Sequence, residues 1–210
     1  MSTKKILLEP DKYYHIFNRG INSMNLFRDS ENYVYFLNLY DKYIEPVANT
    51  FAWVLMKNHF HFLVKIKTKE EIIIAFRNLQ DFKNPKEQEI AIVKRIYQQF
   101  SNMFNAYTKA INKRYNRTGA LFESNFHRKL IDNPRYFKNV VIYIHQNPVH
   151  HHICEHPIEY AWSSYLTCVS SKPTKLYRDK VISWFDNNAN FKKFNNDNNF
   201  DYNKTENYLF

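Results

Sequence analysis

Phe51-Ala-Trp-Val-Leu-Met-Lys-Asn-His-Phe-His-Phe-Leu-Val-Lys-Ile66 is the stretch from which the rest of the chain is read. Its aromatic and β-branched content predicts a strand. Residues two apart on a strand share a face. His59 and His61 therefore project together, while Phe60 and Phe62 point the other way, into a core. Neutral imidazoles held side by side on a rigid strand suit a divalent cation. An ordinary amphipathic strand with two histidines on its wet face is the competing reading of this tripeptide alone. A second segment, Tyr143 to Asn147, changes the balance.

Upstream, residues 12–19 alternate and predict a strand. Gly20 and Gly119, the chain's two glycines, are expected where the backbone needs positive φ or a tight turn. Ser30 is placed to cap a helix over Glu31–Tyr43. The succession is β-α-β, the first half of a ferredoxin-like sandwich. Downstream, Thr68 opens a short helix with Glu70 and Glu71 in its first turn. Glu87 to Lys113 reads as a long helix with a stripe of Ile90, Val93, Ile96, Tyr97, Phe100, Phe104 and Tyr107. Asn125–Ile131 is a third strand candidate. Asn133 caps and Pro134 opens a helix to about Asn147, where Pro148 is expected to end it. A short helix is expected near Asp179–Phe185. The fold class that follows is α+β: a ferredoxin-like α/β sandwich with an antiparallel sheet, helices on one face and a C-terminal extension. Residues 1–170 form the main domain and 171–210 the extension. From Asp186 the chain is Asn-rich, which favours poor order, unless Phe191, Phe194, Phe200, Tyr202 and Tyr208 dock on the domain.

Composition narrows the function classes. A net charge of +10 in 210 residues favours a polyanionic partner, nucleic acid before anionic lipid; a basic protein with no such role is the alternative. No apolar run is long enough to span a membrane, and Met1–Pro10 lacks a signal-peptide pattern. Two glycines cannot build a Gly-rich phosphate loop. Cys154 and Cys168, without tight spacing, argue for unpaired thiols in a reducing compartment. His150, His151, His152 and His156 read as solvent-facing.

The helix from Pro134 carries the remaining chemistry. Phe137, Val140, Val141 and Ile144 form its packed stripe, and Asn139, Tyr143 and Asn147 a second face at four-residue steps. Tyr143 and Asn147 are therefore neighbours. Asn147 offers an amide oxygen acceptable to Mg²⁺ or Mn²⁺, and Tyr143 a phenol that is a nucleophile once ionised. A cation held by His59, His61 and Asn147 would stabilise charge on a scissile phosphate. A core tyrosine and a helix-capping asparagine are the bland alternatives.

Met56-Lys-Asn-His-Phe-His-Phe-Leu63 resembles the signature of HUH single-tyrosine transposases, and Tyr143-Ile-His-Gln-Asn-Pro-Val149 resembles the helix carrying their nucleophile and third metal ligand. Tyr14-His-Ile-Phe-Asn-Arg-Gly20, Thr118-Gly-Ala-Leu-Phe122 and Tyr160-Ala-Trp-Ser-Ser-Tyr165 extend the likeness towards the REP-associated tyrosine transposases. The resemblance implies a bacterial, cytoplasmic, nucleoid-associated enzyme that nicks and rejoins hairpin-forming single-stranded DNA. It implies a divalent metal, a 5′-phosphotyrosine intermediate and a monomer or homodimer with no membrane partner. Tyr143 would be the nucleophile and His59, His61 and Asn147 the metal ligands. Arg19, Lys57, Lys65, Arg114, Arg117, Arg128 and Lys129, in or beside the motifs, are the candidate DNA contacts. Lys57 stands where the family has proline, Phe122 where it has tryptophan, and Asn125 where it has arginine. A hairpin-binding protein without turnover, and a hydrolase in which metal-bound water attacks, are the alternative functions.

Overall fold

A computed structural model describes residues 6–123, 126–197, 200–202 and 205. Four strands, β1 (Tyr13–Arg19), β2 (Ala48–Met56), β3 (His59–Ile66) and β4 (His127–Ile131), form one sheet in the order β2-β3-β1-β4. Every neighbouring pair is antiparallel. β1 and β2, joined through helix α1 (Ser30–Tyr43), therefore run parallel with β3 between them, a split βαβ unit. The α+β class and the antiparallel sheet agree with the sequence reading. Asn125, where an arginine was expected, lies outside the described residues, as does Tyr208.

The stretch Phe51–Ile66 is not one strand. It folds back at Lys57-Asn58 into a hairpin, with Met56 opposite His59 and Ala48 opposite Ile66. No glycine marks this turn. It is held instead from outside, by Gly20 N–H donating to the Asn58 carbonyl at 2.8 Å and by Leu26 and Phe27 N–H donating to the Lys57 carbonyl at 2.7 and 3.0 Å. Gly20 has an ordinary φ of −68°. Its need is space: a Cβ there would sit 2.0 Å from the Met24 carbonyl oxygen. Gly119, at φ +82°, does need the left-handed region.

Helices lie on both faces of the sheet, not on one. Phe60, Phe62, Tyr14 and Ile16 pack with Phe36 of α1 and with Ile92, Ile96, Phe100, Met103, Tyr107 and Ile111 of α3 (Pro85–Arg114). That stripe is rotated from the expected one, and Ile90 is 69% exposed. The opposite face, with Ala52, Val54 and Leu63, packs against Val140, Val141 and Ile144 of α4 (Pro134–His150). Over α4 lie residues of α5 (Tyr165–Val169), α6 (Arg178–Trp184) and α7 (Asn188–Asn195), with Phe185 and Phe191 fully buried. Helix α2 (Lys69–Ala75) has the expected Thr68 cap, closed as a capping box with Glu71.

Local boundaries differ where tertiary contacts intervene. The α1 cap is Asp29, whose carboxylate accepts the Asn32 N–H; Ser30 is already helical. α4 runs through Pro148 to His150. A proline this close to the end removes one hydrogen bond and little else, and the last turn is continued by His151 N–H donating to the Asn147 carbonyl and Ile153 N–H to the Pro148 carbonyl. The Asn-rich segment forms α7, capped by Asn187.

Candidate active site

β3 carries His59 and His61 on the face that α4 covers, and Phe60 and Phe62 on the other. β1 pairs with β3 so that Arg19 stands opposite His59 and Phe17 opposite His61. His61 is 2% exposed and its Nδ1 lies 3.0 Å from Nε2 of the fully buried His15. Burial, then the neighbouring His15, holds His61 well below the usual imidazole range. Burial pushes His15 down to about 3 and His59 to about 4, the latter against a smaller upward pull from Asn147. All three rings are neutral at neutral pH, the state in which imidazole is a ligand.

α4 brings Tyr143 and Asn147 to the same place. The Tyr143 ring meets His61 edge-on at 5.3 Å, and Asn147 Oδ1 lies 3.0 Å from His59 Nε2. Asn147 Nδ2 donates to the Tyr202 hydroxyl at 2.6 Å, which turns its oxygen towards His59. Tyr202 also stacks on Tyr143 with ring centroids 4.5 Å apart, and His150 stacks on the far side of Tyr202 at 3.6 Å. Tyr143 is consequently only 1% exposed. It still lines, with His59, His61 and Arg19, a cleft of about 460 Å³.

The donor set fits a hard divalent cation. His59 Nδ1 lies 2.7 Å from Asn58 Oδ1 and Nε2 lies 3.0 Å from Asn147 Oδ1. A neutral imidazole has one N–H for these two oxygens, so one contact sets a lone pair against an oxygen. A cation between the two relieves that opposition. Two ligands at right angles, each about 2.1 Å from an ion, are about 3.0 Å apart, as Nε2 and Oδ1 are. Among the described residues no group of three or more His, Cys, Asp or Glu is placed to hold a metal. A cation here therefore depends on the Asn147 amide.

The basic residues divide. Arg19 lines the cleft, donating to Ser23 Oγ at 2.9 Å and pairing with Glu123 at 3.6 Å. Lys57 is exposed on the hairpin turn next to Asn58. Lys129 stands opposite His15 across the β1–β4 pair, where burial lowers its pKa. The other four are engaged elsewhere. Lys65 pairs with Asp11 at 2.5 Å, and Arg114 with both Asp29 and Glu31. Arg117 donates to Asn112 and to the Ala120 carbonyl, and Arg128 donates to the Ile6 carbonyl while stacking over Tyr97.

Four residues of the site escaped the sequence reading of function: His15, Asn58, His151 and Tyr202. The alternation of Tyr13, His15, Phe17 and Arg19 was a usable signal for the first. His151 is exposed, as expected, but its ring lies 5.2 Å from His59 at the cleft rim. Tyr160-Ala-Trp-Ser-Ser-Tyr165 has a structural part: Trp162 and Ser164 hydrogen-bond to β2 and close its edge.

A split βαβ sheet with two histidines on its central hairpin, faced by a helix with tyrosine and asparagine one turn apart, defines the fold and the site. No protein-family model and no curated protein matches the chain. Among solved structures it is similar to the REP-associated tyrosine transposase bound to a REP hairpin, with a TM-score of 0.56 and 16% sequence identity over 82% of this chain and 89% of that one. At that identity the likeness establishes the fold. Among the described residues no helix is long and apolar enough to cross a membrane.

Proposed function

We propose that this chain is a metal-dependent single-stranded DNA endonuclease and strand transferase acting on hairpin-forming DNA. The convergence of Tyr143 with His59, His61 and Asn147 in one cleft carries the reading, and the fold shared with a hairpin-bound tyrosine transposase supports it. The Tyr143 hydroxyl oxygen, after losing its proton, attacks the scissile phosphorus. One P–O bond forms, the bond to the 3′ oxygen breaks, and that oxygen takes up a proton. The product is a 5′-phosphotyrosine and a free 3′-hydroxyl. Because one ester replaces another, rejoining is the same step reversed and needs no ATP. A bound Mg²⁺ or Mn²⁺ supplies charge neutralisation at the phosphate. His59, His61 and Asn147 hold it, while Arg19, Lys57 and Lys129 contact the DNA backbone around the cleft.

The burial of Tyr143 behind Tyr202 favours a second reading, a hairpin-binding protein without turnover. Incubation with labelled hairpin DNA and Mn²⁺, followed by a denaturing gel, separates the two. The wild-type chain is expected to give a covalent protein–DNA adduct and Tyr143→Phe none, with hairpin binding retained by both. Binding without any adduct supports the second reading. Cleavage that persists in Tyr143→Phe points instead to attack by metal-bound water.

A further inference from the structure

A second cavity, of about 430 Å³, lies on the α3 side of the sheet and has no part in the roles assigned above. Asn18 and Glu123 line both it and the cleft, so the two spaces meet at the end of β1. Its wall on α3 is Ser101, Phe104, Asn105 and Thr108, which recur at i, i+3, i+4 and i+7 and so share one helical face. Phe104 in turn meets Phe122 and Phe126, with ring centroids 5.1 and 5.5 Å away. The segment carrying Phe122 is fixed to the end of β1. Glu123 N–H donates to the Arg19 carbonyl at 2.9 Å, and Ile21 N–H to the Leu121 carbonyl at 3.0 Å. Three rings and a strip of hydroxyl and amide groups thus wall the space, on elements that hold each other in place.

Asn18 is 3% exposed, and its Oδ1 accepts the Arg19 N–H at 2.9 Å. That bond fixes which way the amide points. The Asn18 Nδ2 carries two N–H groups and finds no acceptor among the described residues, yet it is not sealed from the space around it. A nearly buried donor left unmet is a cost that a ligand with an acceptor removes. Apolar rings beside an uncharged amide do not suit a phosphate. They suit a nucleobase, which has a π-face for the rings and acceptors on its edges. We infer that this cavity takes one unpaired base of the strand whose phosphate lies in the cleft, stacked against the phenylalanines and oriented by the Asn18 Nδ2 donor. The inference rests on the reading that the cleft takes single-stranded DNA, and not on the cut. Every base offers an acceptor, so Asn18 sets how the base lies more than which base it is.

The test is an abasic scan. The full chain, without divalent metal, binds labelled hairpin DNA with single-stranded flanks of one defined sequence, and each flank nucleotide in turn is replaced by an abasic one. The wild-type chain is expected to lose about five- to a hundredfold in affinity at one flank position, the range for one base–aromatic stack, and little at the others. Ser101→Trp, at an exposed position on the cavity wall, fills the space. It is expected to bind intact DNA more weakly by that factor and to be indifferent to the abasic position. Asn105→Trp, one turn further along α3, is a second filling variant, and a thermal melt of each reports that it folds. Asn18→Asp keeps the oxygen that accepts the Arg19 N–H and removes the donor; it is expected to lose affinity for intact DNA and much less for DNA abasic at that position. A scan with no sensitive position, or one that costs the wild type and the filling variants alike, overturns the base site and leaves the nuclease reading to the adduct assay. One sensitive position that the filling variants abolish, with no adduct under Mn²⁺, keeps the base site and overturns strand transfer. A wild-type chain that binds no hairpin DNA overturns both.

Discussion

His145 sits in the middle of α4 with both ring nitrogens engaged, Nδ1 3.0 Å from Asn195 Oδ1 and Nε2 2.8 Å from Ser164 Oγ. Ser164 Oγ also accepts the Trp53 N–H, so one imidazole ties α4, α7 and the β2 edge together. Burial pushes His145 down to about 4 and His15 to about 3. The unfolded chain protonates these groups below about pH 6.5, while the folded chain keeps them neutral. Their contribution is therefore fully present above pH 6.5 and is lost as the pH falls towards 4 and 3. Each group removes up to about 1.4 kcal/mol of stability per pH unit in that window. Urea unfolding between pH 7 and 5 is expected to show this slope, and His145→Gln a shallower one. A flat wild-type profile would count against neutral burial. At this scale His59 and His61 were legible because strand alternation is local. For His15 the same alternation gives only the face; the pairing of β1 with β3 is what brings its ring to His61.

Two elements set the geometry around these residues. The loop from Gly20 to Phe27 grips the Lys57-Asn58 turn through three backbone hydrogen bonds, so the position of His59 depends on a loop far away in sequence. Gly20→Ala forces the Met24 carbonyl to move and is expected to cost about 1–3 kcal/mol, read as a lower urea midpoint, together with weaker Mn²⁺ binding. Retention of both would show the grip to be dispensable. The second element is the segment bearing Tyr202, which covers Tyr143 and orients the Asn147 amide. Tyr202→Ala is expected to raise the rate of adduct formation several-fold by uncovering the phenol. A rate that falls instead would mean that orienting Asn147 outweighs the cover. The Asn-rich composition hid this docking, since helix α7 is held by Phe191 and Asn195 buried against α4 and not by local propensity.

Across the whole molecule the sheet is shared by two cores, one with α1 and α3 and one with α4 to α7. The cleft opens at the end of the sheet where β1 finishes and β3 begins. Of the candidate DNA contacts, Arg19 lines that cleft and Lys57 stands on the adjoining hairpin turn, while Lys65 and Arg114 are paired with Asp11, Asp29 and Glu31. Hairpin affinity is expected to fall with salt at a slope of about −0.7 per phosphate neutralised. Lys57→Ala should reduce that slope by about 0.7, and Lys65→Ala should leave it unchanged. Equal effects from the two would indicate binding spread over the surface and not centred on the cleft.

The amino-acid order alone determined the α+β class, the shared face of His59 and His61, and the one-turn spacing of Tyr143 and Asn147. Each of these follows from a backbone period, which needs no partner from elsewhere in the chain. Tertiary structure decided the hairpin at Lys57-Asn58, the second helical layer, the His15–His61 contact and the cover over Tyr143. Those features come from hydrogen bonds and buried area between segments far apart in sequence, such as Tyr202 on α4 and Gly20 on the β2–β3 turn. Neither partner's local pattern carries the energy of such a contact, so neither pattern could announce it.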